Sequence, residues 1–175
     1  MKTELKLEKK WLNRMQKAAC CLLAFACCML ALGQAPVAAA AKVTAKSLCK
    51  AALDATGGSS QLKSQSTRPE DCPIFTVAQS EKISSIAYLC DDKEIYSICV
   101  AKAAKKSDAS DLLKSIKAYK KNNSSSDYLS DYSKTEQSVF QNAVYGKKGA
   151  YVWYIAMSPK KDVNKKGQDA LKKQL

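Results

Sequence analysis

The sequence predicts an α+β fold of two layers. A four-stranded antiparallel sheet of two β-hairpins packs against helices in the order α-β-β-α-α-β-β-α, after an N-terminal signal or anchor helix. Three observations carry this reading. Two pairs of apolar runs are each joined by a short polar turn. The segments around them carry apolar stripes at helical spacing, with recognisable caps. The start of the chain holds a long stretch without any charge.

That stretch sets the domain organisation. Residues 1–17 are basic, with Lys2, Lys6, Lys9, Lys10, Arg14 and Lys17 against Glu4 and Glu8, and Ala18 to Ala41 is uncharged over 24 residues. A basic head, an apolar middle and a small-residue tail broken by Pro36 are the order of a secretory signal, with cleavage after Ala39, Ala40 or Ala41. An uncleaved membrane anchor is an alternative, since 24 residues suffice to span a bilayer as a helix. Lipidation at Cys27 is a third, although Ala24-Phe25-Ala26-Cys27 is a poor lipobox. All three export residues 42–175 as a single domain, secreted or held at the outer face of a bacterial cytoplasmic membrane.

In the exported part, Thr44 caps a first helix over about 44–56, with Leu48, Cys49, Ala52 and Leu53 on one stripe and Gly57-Gly58 as the stop. Residues 57–74 are polar, hold Arg68-Pro69 and Cys72-Pro73, and read as a long loop. Ile83–Cys90 and Ile95–Ala101 form the first hairpin around Asp91-Asp92-Lys93-Glu94. With that turn, Cys90 faces Ile95 and Ile86 faces Cys99. Ser107 or Asp108 caps a helix with Ala109, Leu112, Leu113, Ile116 and Tyr119 on its apolar face. Ser133-Lys134-Thr135-Glu136 is a capping box ahead of Val139 and Phe140. Ala143-Val144-Tyr145 and Ala150–Met157 flank a Gly146-Lys147-Lys148-Gly149 turn. Ser158-Pro159 then starts a last helix with Val163, Gly167, Leu171 and Leu175 as its stripe.

Composition excludes several chemistries. The chain has no His, so imidazole catalysis and His-ligated zinc are absent. No nucleophile elbow or Gly-rich phosphate loop is present. The turn at Asp91, Asp92 and Glu94 lacks the ligand spacing and Gly of a calcium loop and reads as turn chemistry. The sequence therefore predicts no catalytic residues, no metal ligands and no cofactor. Removing the leader leaves 23 basic and 14 acidic residues, a net charge of +9. The basic residues are dispersed lysines, with Arg68 the one arginine beyond the leader. This argues for a solvated surface, with loose attraction to an anionic cell-wall polymer or membrane surface as the functional alternative, and against nucleic acid.

Four cysteines remain: Cys49, Cys72, Cys90 and Cys99. In an oxidising compartment three pairings are open. Cys49 on its stripe reads first as a core thiol. Cys72, in the loop, is the best disulfide candidate, with Cys49 its nearest partner in sequence. Cys90 and Cys99 share a face but sit four rungs apart, beyond disulfide reach. On the last strand Tyr151 and Trp153 point one way and Tyr154 the other. If one sheet face is open, aromatics there suit a sugar or peptide ligand. Trp153 and its row read as core, and Tyr154 as the exposed candidate.

Several stretches occur in a characteristic order: Glu94-Ile95 through Val100-Ala101-Lys102-Ala103, Gln141-Asn142-Ala143-Val144, Lys148-Gly149-Ala150-Tyr151-Val152-Trp153-Tyr154, and Ser158-Pro159. This order resembles the family catalogued as domain of unknown function forty-three fifty-eight, over roughly residues 80–172 and more weakly 44–56. The resemblance implies a small exported or lipoprotein-like domain of Gram-positive bacteria, and brings no catalytic residues. The poor lipobox departs from that pattern. The expectation is a non-catalytic binding or structural module of the cell envelope. An enzyme or enzyme-regulating domain acting on wall components, or a membrane-tethered sensor ectodomain, are the alternatives.

Overall fold

The computed structural model describes residues 43–58, 62 and 64–175, and from Val43 onward these form one unit. The leader expected over 1–41 lies outside the described residues. The first helix, α1 (Ala45–Thr56), begins as its sequence predicts. The Thr44 side chain accepts from the Ser47 N–H at 3.0 Å, Ser47 returns the bond to the Thr44 N–H, and Gly57 ends the helix at φ 68°.

Five strands, not four, make one antiparallel sheet: β1 (Ser64–Ser66), β2 (Ile83–Cys90), β3 (Ser97–Ala103), β4 (Val144–Lys148) and β5 (Tyr151–Ala156), in the order β1-β2-β3-β5-β4. The extra strand, β1, is Ser-Gln-Ser along the edge of β2. Backbone pairing with β2 places it, and its sequence carries no apolar alternation. A 3₁₀ turn (Pro69–Asp71) and a four-residue helix, α2 (Val77–Ser80), follow, so the segment read as one loop is partly ordered.

The first hairpin is shifted by two residues from its expected register: Cys90 pairs with Ser97 and Ile86 with Ala101. The cause is a six-residue connection. The Asp91 carboxylate accepts the Tyr96 N–H at 3.0 Å, the Asp91 N–H donates to the Tyr96 carbonyl, and Glu94 takes φ 56°, which lets Ile95 turn inward and be buried. The second hairpin turns at Gly149-Ala150, with Gly149 at φ 62°. Gly146 is not in the turn. It lies in β4 opposite Trp153, where a Cβ would stand 2.5 Å from the indole Cζ2.

The layer count also differs from expectation. Side chains of β5 divide cleanly between two cores, with Tyr151, Trp153 and Ile155 in one and Val152, Tyr154 and Ala156 in the other. Helices α1 and α6 (Lys161–Gln174) cover the first face through Leu48, Ala52 and Leu171. The second face is covered by α3 (Ala109–Asn123) and α5 (Lys134–Gln141), with the short α4 (Ser126–Leu129) between them, through Leu112, Ile116, Leu129 and Phe140. The structure is therefore three layers, helices–sheet–helices, because β3 and β5 are apolar on both sides. The capping box at Ser133 forms as predicted and starts α5. The last helix starts two residues later than Pro159, and its inner stripe is Asn164, Gly167 and Leu171, with Val163 only partly buried.

Gly167 is where α6 meets α1. A Cβ there would lie 3.0 Å from the Ala52 carbonyl oxygen and 2.7 Å from the Thr56 methyl. Helix propensity alone would make Gly167→Ala stabilising by ~1 kcal/mol. Overpacking against a backbone atom costs ~1–3 kcal/mol and should outweigh it. Urea denaturation of the full chain is expected to show Gly167→Ala less stable than the parent. A gain in stability would show that α6 does not seat on α1 at this position.

Candidate functional site

A hollow of about 430 Å³ lies at the β1 edge of the sheet, beside the 91–96 connection. Four elements build it. β1 gives Gln65 and Ser66, the 3₁₀ turn gives Asp71, β2 gives Tyr88 and Cys90, and the connection gives Asp91, Asp92 and Glu94. Its wall thus carries four carboxylates on a chain whose net charge is +13.

These carboxylates are held differently. Asp71 accepts two bonds from Arg68, Nη2 at 2.8 Å and Nε at 2.9 Å, and one from the Ser66 hydroxyl at 2.7 Å. The Arg68 bond, then the Ser66 bond, holds its carboxyl below the usual range. Asp91 spends one oxygen on the Tyr96 N–H. Glu94 sits on the left-handed backbone that only a few non-glycine residues adopt. Its charge reaches inward: after burial, Glu94 helps raise the pKa of Tyr88, Cys90 and Tyr119.

Tyr88 is the unusual residue of the set. It is 3% exposed, and its hydroxyl has no hydrogen-bond partner among the described residues. Buried hydroxyls normally find one. Behind it lies a group of aromatic rings. Tyr119 meets Tyr154 edge-to-face at 5.5 Å, and Tyr128 stacks on Tyr132 at 5.5 Å with both edge-on to Phe140. The Tyr154 hydroxyl is also buried without a partner. Burial pushes the Tyr88, Tyr119 and Tyr154 phenols well up. The bond with Tyr132 raises Tyr128 to about 12. Cys90 is raised by burial, so this thiol stays protonated and is a poor nucleophile. Among the described residues no group of three or more His, Cys, Asp or Glu could hold a metal ion.

The residues singled out from sequence fall elsewhere. Tyr154, expected to be exposed, is fully buried at 0%, because α3 and α5 cover its face. Trp153 is buried on the other face, with its indole N–H donating to Gln168 Oε1 at 3.0 Å. Tyr151 is buried too, and its hydroxyl donates to the Val43 carbonyl at 2.8 Å. None of the three faces an open sheet surface. Cys49 lies under α1 in one core and Cys72 in the other, so the sheet separates them. The Cys72 thiol instead donates to the Cys99 sulfur at 3.8 Å. A second hollow of about 240 Å³, between α1 and β2, has Cys49 and Leu89 in its wall and Lys46 and Lys50 at its rim.

Sequence reasoning found Asp91, Asp92 and Glu94 but assigned them to the turn alone. It passed over Tyr88, which is one aromatic in an apolar strand and has no pattern that marks it. No family model, curated protein or solved structure matches this chain.

Two outcomes follow from the unpartnered phenols. Tyr154→Phe removes a buried hydroxyl that has no bond to lose, so it should be neutral or stabilising by up to ~1 kcal/mol in urea denaturation, where a bonded hydroxyl would cost about that much. A loss of stability would reveal a partner for this hydroxyl. The pH dependence has a fixed sign. In the unfolded chain tyrosines ionise near pH ~10, while the folded state holds Tyr88, Tyr119 and Tyr154 protonated to higher pH. Their contribution to stability is full below about pH 10 and is lost as pH rises above it. Phenolate absorbance for these three should appear only together with unfolding. Ionisation near pH ~10 in folded protein would contradict their burial.

Proposed function

We propose that this chain is an exported, non-catalytic binding module of the bacterial cell envelope, and that its acidic pocket takes the ammonium or guanidinium end of an extended cationic ligand. The observation that carries the reading is the pocket wall: four carboxylates, Asp71, Asp91, Asp92 and Glu94, line one hollow. An ammonium presents three N–H donors, and carboxylate oxygens are acceptors for them. A volume of 430 Å³ is in the range of small-ligand pockets. The protonated Cys90 and Tyr88 side chains offer no base or nucleophile beside the bound group.

Export is supported by the leader pattern and by the resemblance to small exported domains of Gram-positive bacteria. The basic surface does not oppose the reading. At physiological ionic strength, charges more than ~8 Å away are largely screened, whereas the pocket carboxylates are in contact with the ligand. On α6, Lys161, Lys165, Lys166, Lys172 and Lys173 are exposed, which supports a separate, loose attraction to anionic wall polymer or lipid head groups.

Amide chemical shifts of the isotope-labelled full chain, titrated with 1,5-diaminopentane and with hexanoate as the anionic control, test the pocket. The diamine should move the amides of Ser66, Asp71, Tyr88 and Glu94, and hexanoate should not. Glu94→Gln should weaken diamine binding by about 2–5-fold, the scale of one accessible ion pair. Unmoved pocket amides, or equal movement with hexanoate, would remove the cationic ligand.

A further inference from the structure

Cys72 and Cys99 stand apart from the other thiols. Cys72 follows the 3₁₀ turn, in the surface segment that also carries Asp71. Cys99 lies in the middle of the sheet, between Tyr88 of β2 and Tyr154 of β5. They are 27 residues apart in sequence, both are 1% exposed or less, and their sulfurs are 3.8 Å apart. Disulfide sulfurs are ~2.0 Å apart, so a closure of under ~2 Å, within reach of side-chain rotation, joins them. Among the described residues no comparable partner exists for Cys49 or Cys90. Cys49 is across the sheet from Cys72, and Cys90 lies two rungs from Cys99 along the strand pair.

We propose that Cys72 and Cys99 are joined by a disulfide in the exported protein, a cross-link that pins the Asp71 wall of the pocket to the centre of the sheet. The oxidising compartment rests on the export reading above. The oxidant is a disulfide. The Cys72 thiolate attacks it and releases one thiol, leaving a mixed disulfide on Cys72. The Cys99 thiolate then attacks the Cys72 sulfur and releases the second thiol. Two electrons and two protons leave the cysteine pair, and the oxidant's disulfide becomes two thiols. Burial raises the Cys99 thiol well above its ordinary range, so in the closed fold it is protonated. The bond therefore forms during folding, before α3 and α5 cover Cys99.

The cross-link would add a covalent tie to a segment otherwise held by the burial of Ile74 and Phe75 in the core. Between β1 and β2 there are only the 3₁₀ turn and the single turn of α2, and the Arg68–Asp71 pair is on the surface. Closing a loop of this length raises the melting temperature by roughly 10 °C in a chain of this size.

The test uses the full chain, refolded in a buffer of reduced and oxidised glutathione, quenched with acid, alkylated and digested with trypsin. Lysines place Cys49, Cys72, Cys90 and Cys99 on four separate tryptic peptides, the one with Cys72 running from residue 64 to 82 because the Arg68-Pro69 bond is not cleaved, while all four leader cysteines share a fifth. The expected map has the Cys72 peptide linked to the Cys99 peptide, with Cys49 and Cys90 alkylated. Cys72 and Cys99 both alkylated, or Cys72 joined to any other cysteine, overturns the proposal. Reductant and Cys72→Ser should each lower the melting temperature by a similar amount. Cys49→Ala should keep the reductant-sensitive difference, and a melting temperature indifferent to reductant also overturns the cross-link. The map involves no ligand, so it stands or falls independently of the pocket reading.

Discussion

β3 and β5 run through the middle of the sheet with apolar side chains on both faces, and the other elements exist to cover them. Every residue of β5 is buried, as is all of β3 except Lys102. Two buried faces require two covers. α1 and α6 provide one, α3 to α5 with the 72–75 segment the other. The close approaches follow from that demand. Gly146 leaves room for the Trp153 ring on an edge strand, and Gly167 lets α6 press onto the α1 backbone. Either glycine replaced by a larger residue would push a cover away from the strand it protects.

Polar groups inside these covers divide into two kinds. Asn164 is fully buried and spends its amide completely, accepting the Met157 N–H and donating to the Asn142 and Ser158 carbonyls. It ties the start of α6 to the end of β5 and to the end of α5, and is a structural fastener. Lys120 does similar work, donating to the Ala143 carbonyl at 2.7 Å beside the Tyr145 ring. Tyr88 and Tyr154 are the other kind, with hydroxyls that hold nothing together. Tyr88 lies where the second cover gives out toward the β1 edge, and there the hollow opens.

Local chemistry was the legible part of the fold. Thr44, Gly57 and the Ser133 box set helix ends by hydrogen bonds within a few residues, and a sequence displays these directly. The alternating rows of β5 were legible too, but not what covered the second row. Val152, Tyr154 and Ala156 are as apolar as Tyr151, Trp153 and Ile155, and that equality is the mark of a strand buried twice. Assigning Tyr154 to an open face missed it. β1 was illegible because Ser-Gln-Ser has no apolar alternation and is placed by pairing with the edge of β2. The hairpin register was misjudged because Asp91 and Glu94 reshape the backbone, making a six-residue connection from what reads as a four-residue turn. The pocket shares that obscurity, since its residues come from four segments that meet only in three dimensions.

The pairing of α1 with α6 has a consequence for the order of events. Ala52 packs on Gly167, and the Tyr151 hydroxyl reaches Val43 across 108 positions of sequence. Contacts so distant in sequence form slowly, because a large loop must be ordered before any of them stabilises the chain. The first cover cannot close until α6 has been synthesised, so an incomplete chain leaves the side of α1 that meets α6 uncovered. Until then the row of Tyr151, Trp153 and Ile155 on β5 is only partly covered, so the last helix decides when the fold is complete.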